Sequence, residues 1–159
     1  MTVYREAQSV PVTLLQQRID ATNRKDWAAW EALHHVDAVR TGPELTEPMV
    51  GRRLLRAAIE ALAEAFPDYH LSLVDVLTDG DRIAARIHTT GTMTGPLMLS
   101  SGLSVPASGR TIDQEWMAQM TVANGLIAEF REYYDQLQLL EQLGLLHIFA
   151  TLPSDLSRI

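Results

Sequence analysis

Arg86 and His88, two apart in the segment RIAARIHTT, and Asp135, at the end of AEFREYYD, are the residues whose types and spacing could move a proton. Alternate residues of a strand share a face, so Arg86, His88 and Thr90 would project together, with Ala85, Ile87 and Thr89 opposite. An arginine and a histidine are costly to bury against a dry core, so their face is expected to meet a polar cavity or solvent. There His88 could exchange protons near pH 7, and Arg86 could hold an anionic oxygen or orient Asp135. Asp135 itself has two readings. As N-cap of a terminal helix it would accept a hydrogen bond from the amide of residue 137 or 138, with Gln138 as its capping-box partner. At a strand's mouth among apolar neighbours, desolvation would raise its pKa and let it exchange protons with a bound substrate.

Glu129, Arg131, Tyr133 and Asp135 are in phase, which sets Tyr133 and Arg131 beside the aspartate. On the preceding strand Glu115, Met117, Gln119 and Thr121 share one face, while Gln114, Trp116, Ala118 and Met120 share the other. The pattern leaves open which of these points inward. Trp27 and Trp30, three apart on an early helix, fit a core better than a ligand site. The candidate binding residues are Tyr133, Arg131, Trp116, Met117, Met93 and Trp30. His34 and His35 point apart and lack spaced carboxylates, so a solvated helix end is expected there instead of a metal site. The segment SSGLS (100–104) has no GxSxG nucleophile elbow and reads as loop.

Composition removes much competing chemistry. The 159 residues include no cysteine, which excludes thiolate nucleophiles, disulfides, iron–sulfur ligation and cysteine zinc sites. The only lysine, Lys25, lies beside Asp26 in a polar helical stretch without a glycine-rich approach, so neither a Schiff base nor a phosphate-cradling loop is expected. A net charge of -7 argues against nucleic acid or an anionic membrane as partner. No apolar run approaches membrane-spanning length and the first twelve residues lack a secretory core, so a cytoplasmic protein is expected. With 47% hydrophobic residues, the chain suits one domain over residues 1–159, its core spanning about 12–144.

The elements that must position these residues follow from periodicity. Val12, Leu15, Ile19 and Thr22 keep one helical face, continued by Trp30 and Leu33 after a break near Asp26, so helix runs to about His34. A Gly/Pro stretch follows from Thr41 to Gly51. Leu54, Leu55, Ala58, Ile59, Leu62 and Phe66 then mark a helix that Pro67 ends. From Tyr69 the period becomes two, and Asp79-Gly80-Asp81 turns the chain into a returning strand, Arg82 to Thr92. A loop from Gly95 to Gly109 leads to a third strand, Thr111 to Val122. Asn124-Gly125 is a two-residue turn into a fourth, Leu126 to Tyr134. Leu137, Leu140 and Leu143 mark the terminal helix, with Gly144 as its left-handed C-cap. Helices first and an antiparallel meander second describe an α+β fold in which a curved sheet wraps over helices and encloses a pocket.

The pieces AFPDYH (65–70), GDRIAARI (80–87), TTGTMTGPL (89–97), PASGRTI (106–112), NGLIAEF (124–130) and YYDQLQLLEQLG (133–144) resemble, in order and spacing, the SnoaL-like polyketide cyclases of the NTF2-like superfamily of cone-shaped domains. The resemblance implies that Asp135 is the acid/base residue of a cofactor-free intramolecular aldol ring closure. The substrate it implies is an apolar, polyketide-like carbonyl compound. Met93 stands where that family often has histidine, and Arg131 where it often has tryptophan. Two alternatives accompany this reading. One is epoxide opening resembling the limonene epoxide hydrolases, with Arg86 and His88 as the strand pair, or a related isomerase or dehydratase reaction. The other is a non-catalytic small-molecule-binding or dimerisation domain. The second sheet face and the tail LLHIFATLP (145–153) are expected to pack on a second copy, giving a homodimer.

Overall fold

The computed structural model describes residues 9–147. Helix α1 (Val10–Arg24) starts with Pro11 in its first turn, where a missing amide costs nothing, and ends at Lys25 in a left-handed conformation. Asp26 then accepts a hydrogen bond from the Ala29 amide at 3.0 Å and starts a separate helix, α2 (Trp27–Ala32). There follow β1 (His34–Thr41), β2 (Met49–Val50) and α3 (Arg52–Ala65). The rest of the chain comprises β3 (His70–Asp79), β4 (Arg82–Thr92), β5 (Leu97–Met98), β6 (Ser104–Val105), β7 (Thr111–Ala123), β8 (Leu126–Tyr133) and α4 (Gln136–Leu143).

Six strands make one curved, unclosed sheet in the order β2-β1-β8-β7-β4-β3. The meander expected from the sequence is its larger part, and all of its pairings are antiparallel. The first strand was not expected, nor were the two-residue strands β2, β5 and β6 in stretches read as loop. β1 lies parallel to β8, so the sheet is mixed, and it begins at His34 where a solvated helix end was expected. The reason is a spacing coincidence. Trp30, His34 and Ala38 are the buried residues of this stretch, four apart like one face of a helix, because the β1 register is irregular between His34 and Val39. β2 likewise comes from the stretch read as loop, pairing Val50 with Val39.

The inner face of the sheet carries the core. Along β4 the buried residues are Ile83, Ala85, Ile87, Thr89 and Gly91, and along β7 they are Ile112, Gln114, Ala118, Met120 and Val122. Leu15 and Ile19 of α1 pack on Ile83, Ile87, Met120 and Ile127. In β3 a bulge between Leu73 and Asp75 changes the phase, so Val76 joins Leu71 and Leu73 on the core side and Leu77 is left 71% exposed. This edge strand is also capped by α1, since the Asn23 amide group exchanges hydrogen bonds of 2.9 and 2.8 Å with the backbone of Leu71. A second cluster (Phe66, Met93, Ile112, Leu140, Leu143) joins the end of α3 to α4. The loop before β5 is docked there through Gly95, whose amide donates to the Ala65 carbonyl at 3.0 Å. A Cβ at that position would stand 2.2 Å from the Glu64 carbonyl oxygen.

His34 is fully buried, with its ring stacked on Trp30 at 3.9 Å between centroids. Its Nδ1 lies 2.8 Å from the Trp30 carbonyl, which can only accept, so Nδ1 carries the proton and Nε2 accepts from Arg18 Nε at 3.4 Å. Burial, helped by the Arg18 charge, draws its pKa down from 6.5 to about 3. Between those values the unfolded chain binds a proton that the folded chain refuses. The contribution to stability is therefore whole above pH 6.5 and declines as the pH falls toward 3, by at most about 1.4 kcal/mol per pH unit. Urea unfolding at pH 7, 6 and 5 should show this decline, and His34→Gln should be less stable at pH 7 with a shallower pH slope.

Candidate functional site

β8 stops pairing with β7 at the Met117–Tyr133 pair, whereas β7 continues to its start at Thr111 alongside β4. The free edge of β7, the end of β8 and the loop after β1 surround a cavity of about 590 Å³, walled by residues 41–43, 115–117 and 132–135. It is open to solvent, unlike the enclosed pocket expected. Because it borders a strand edge, its wall includes residues from both faces of β7.

Asp135 lies at the mouth, exposed, and is the N-cap of α4: its Oδ1 accepts from the Gln138 amide at 3.0 Å. Its Oδ2 accepts no hydrogen bond from the described residues. One oxygen thus fixes the carboxylate and the other is available. Trp116, Met117 and Tyr133 share the wall with it. Trp116 faces inward, donating from Nε1 to Thr89 Oγ1 at 2.7 Å and meeting the Phe130 ring edge-on at 6.4 Å. Met117 and Tyr133 are opposite each other on the outer face, 42% and 57% exposed.

The other expected residues stand elsewhere. Arg86 and His88 project from the outer face of the sheet, away from the helices. Arg86 lies 3.4 Å from Glu115, and His88 Nε2 lies 2.7 Å from Asp113 Oδ1. Neither is a wall residue, but Arg86 borders the wall, paired with Met117 and in contact with Glu115. The apolar phase of β4 claimed the core side, which leaves its charged phase outside; the alternation of Ile83, Ala85 and Ile87 carries that signal. Arg131 is also on the outer face, 3.9 Å from Glu129, beside a polar depression of about 240 Å³ shared with Arg82, Gln119 and Thr121. Met93 is fully enclosed in the second core cluster, and Trp30, 1% exposed, packs with Ala21, Ala38 and Leu55.

Sequence reasoning missed the polar residues behind the wall. Glu132 faces inward and accepts from Arg40 Nη2 at 2.5 Å and Nε at 3.2 Å. Arg40 also reaches Glu44 at 2.5 Å, and Glu44 accepts from the Tyr134 hydroxyl at 2.9 Å. Burial opposes the charge of Arg40, yet Glu132 and Glu44 overcome it and hold its pKa above the usual range. Burial, with Glu44 adding to it, raises the Tyr134 phenol well above its ordinary value. The signal for Glu132 and Tyr134 was the apolar Phe130 two and four residues earlier, which marks their phase as the inner one. Arg40 was hidden with its unrecognised strand. Among the described residues no three histidines or carboxylates are grouped to hold a metal ion, and no helix is long and apolar enough to cross a membrane.

A family model of SnoaL-like polyketide cyclases matches residues 13–143, and the chain belongs to that family. The fold agrees. A candidate SnoaL-like polyketide cyclase from Jannaschia sp. CCS1 superposes with a TM-score of 0.76 at 20% identity, over 89% of this chain and 97% of its own. TsrD from Streptomyces laurentii is 29% identical with a TM-score of 0.73, over 89% of this chain and 100% of its own. IdmH from Streptomyces antibioticus, a candidate polyketide cyclase, is 25% identical with a TM-score of 0.70, over 84% and 98%. No curated protein sequence matches.

The cap and any chemistry at Asp135 separate cleanly by substitution. Asparagine caps as well as aspartate, whereas alanine forfeits the bond to Gln138. Denaturant midpoints should place Asp135→Asn within a few tenths of a kcal/mol of the parent, and Asp135→Ala about 1 kcal/mol below it.

Proposed function

We propose that this protein closes a ring in an apolar, polyketide-like carbonyl compound by intramolecular aldol addition, without a cofactor, using Asp135 as the proton carrier. The observation that carries this reading is the Asp135 carboxylate on the cavity wall, anchored through one oxygen and free at the other. Family membership and the flat, apolar surfaces of Trp116, Met117 and Tyr133 on the same wall support it.

The chemistry needs one group acting twice. The carboxylate takes a proton from a carbon flanked by carbonyls, and the electron pair spreads onto the carbonyl oxygen as an enolate. The enolate carbon attacks a second carbonyl carbon of the same molecule, forming the C–C bond. The resulting alkoxide recovers the proton from the Asp135 carboxylic acid. Product and substrate are isomers, so no oxidant or reductant enters. Holding both reacting carbons in one cavity supplies the proximity term, and the positioned base supplies roughly 10²–10⁴-fold.

The test uses an aromatic β-keto ester bearing a pendant aldehyde, with the ring-closed isomer followed by chromatography. Asp135→Asn should lose about 10²-fold or more of the rate while still binding the ester; an unchanged rate would remove the assignment. The exposed outer face of the sheet away from the cavity, with Leu77 on it, is our proposed homodimer surface. Light scattering at micromolar concentration should give twice the chain mass, and a monomer would refute it.

A further inference from the structure

Asp135 belongs to neither β8 nor α4. With Tyr134 it forms the two-residue link between Tyr133, the last residue of the strand, and Gln136, the first of the helix. Pairing with β1 ends at Arg131 and pairing with β7 at Tyr133, so no ladder fixes the chain beyond that point. A base works only within hydrogen-bond reach of the proton it removes, so a carboxylate on such a link has to be aimed by side chains. The bond to the Gln138 amide turns the carboxylate relative to α4. A second contact has to set the link against the sheet.

Tyr134 supplies that contact. Its neighbours Tyr133 and Asp135 are exposed, whereas Tyr134 is half-buried on the cavity wall and its hydroxyl donates to Glu44 Oε2 at 2.9 Å. A hydroxyl bound to a carboxylate makes a stronger bond than one between neutral groups. Glu44 is itself held. Its Oε1 accepts from Arg40 Nη2 at 2.5 Å, and its backbone carbonyl accepts from Ser100 Oγ at 2.7 Å. The first tie leads through Arg40 to Glu132 on β8, and the second leads to the turn between β5 and β6. Burial and Glu44 hold the phenol well above its ordinary pKa, so it stays protonated and keeps donating wherever a carboxylate base works.

The neighbouring elements do not need this bond. Leu140 and Leu143 bury α4 in the second cluster, and Gln142 exchanges hydrogen bonds of 3.0 and 2.8 Å with the Asp113 backbone. The end of β8 is fixed by its pairing with Met117 and by Arg40 on Glu132. Removing the Tyr134 hydroxyl therefore leaves strand and helix in place and loosens the link that carries Asp135.

We propose that Tyr134 is a positioning residue for Asp135: its hydroxyl, held by Glu44, sets where the free Oδ2 stands on the cavity wall. The inference rests on the acid/base reading of the cavity and adds what aims the base. The two residues are adjacent, so a displacement of Tyr134 passes directly to Asp135, and a misplacement of about 1 Å can cost about 10²-fold in rate. Trp116, Met117 and Tyr133 belong to β7 and β8, so the surface that binds the substrate stays where it is. The signature is a fall in kcat at unchanged KM.

Tyr134→Phe keeps the ring in the wall and removes only the hydroxyl. In ring closure of the β-keto ester it should lower kcat at least about tenfold, with KM held within about twofold. Glu44→Gln should lose rate in the same sense, and the double variant should lose no more than the worse single one, because both changes break one bond. A second readout is independent of turnover. Gln138 lies in the first turn of α4, where its amide has no intrahelical acceptor, so Asp135 protects it. Hydrogen exchange at that amide should speed up severalfold in Tyr134→Phe, while the amides of β4 keep their rates. Should Tyr134→Phe not fold, Glu44→Gln carries the same tests. Full kcat in folded Tyr134→Phe, with Asp135→Asn inactive, would overturn the positioning role and keep the base. A rise in KM with kcat kept would make Tyr134 a binding surface and overturn it too. An unchanged rate in Asp135→Asn would sink both readings.

Discussion

Arg40 crosses from β1 to β8 and grips Glu132 with two nitrogens while a third contact holds Glu44. β1 and β8 are parallel, so no hairpin turn joins them and their ends are free to splay. The ion pair ties them where β8 is about to leave the sheet, and Glu44 extends the tie to Tyr134 and to the loop that forms one side of the cavity. Partial burial strengthens these contacts relative to a surface pair, and every carboxylate in the chain of contacts has a donor. The position of the cavity depends on this knot.

From that point the geometry of the site follows. β8 ends at Tyr133, the chain turns, and Asp135 caps α4 on the cavity wall. Capping and proton transfer are not rivals in this arrangement. A carboxylate has two oxygens with several lone pairs, and the helix occupies one of them. The amide bond then serves as an orienting contact, holding the second oxygen in place relative to the wall. The core behind β8 is built on a different principle. There the rings of Phe130 and Trp30 and the His34 imidazole enclose the Arg18 guanidinium in the core between α1 and the sheet.

Much of this was legible in the sequence where one period dominated. β4, β7 and β8 alternate cleanly, α3 repeats its apolar residues every three or four positions, and Asp135 with Gln138 three residues later marks the start of α4. β1 escaped because Trp30, His34 and Ala38 imitate a helical face while belonging to a helix, a strand start and an irregular strand. The face of Arg86 and His88 was judged by their chemistry, when the phase of Ile83, Ala85 and Ile87 decides which side is buried. Arg18 sits three residues after Leu15 and beside Ile19, on the apolar face of α1, so its burial was readable from spacing. What spacing could not show was its partner, since Phe130 is more than a hundred residues away and the contact exists only after the sheet has curved under the helix.

The central claim, that this cavity removes a proton from carbon, can be tested without knowing the natural substrate. α-Tetralone, an apolar bicyclic ketone whose C–H bonds beside the carbonyl exchange slowly in neutral D₂O, can be followed by proton NMR. The protein should accelerate loss of that signal well above buffer, and Asp135→Asn, folded and equally stable, should return the rate to background. Exchange that is no faster than in buffer, or that is the same in the variant, would contradict the account.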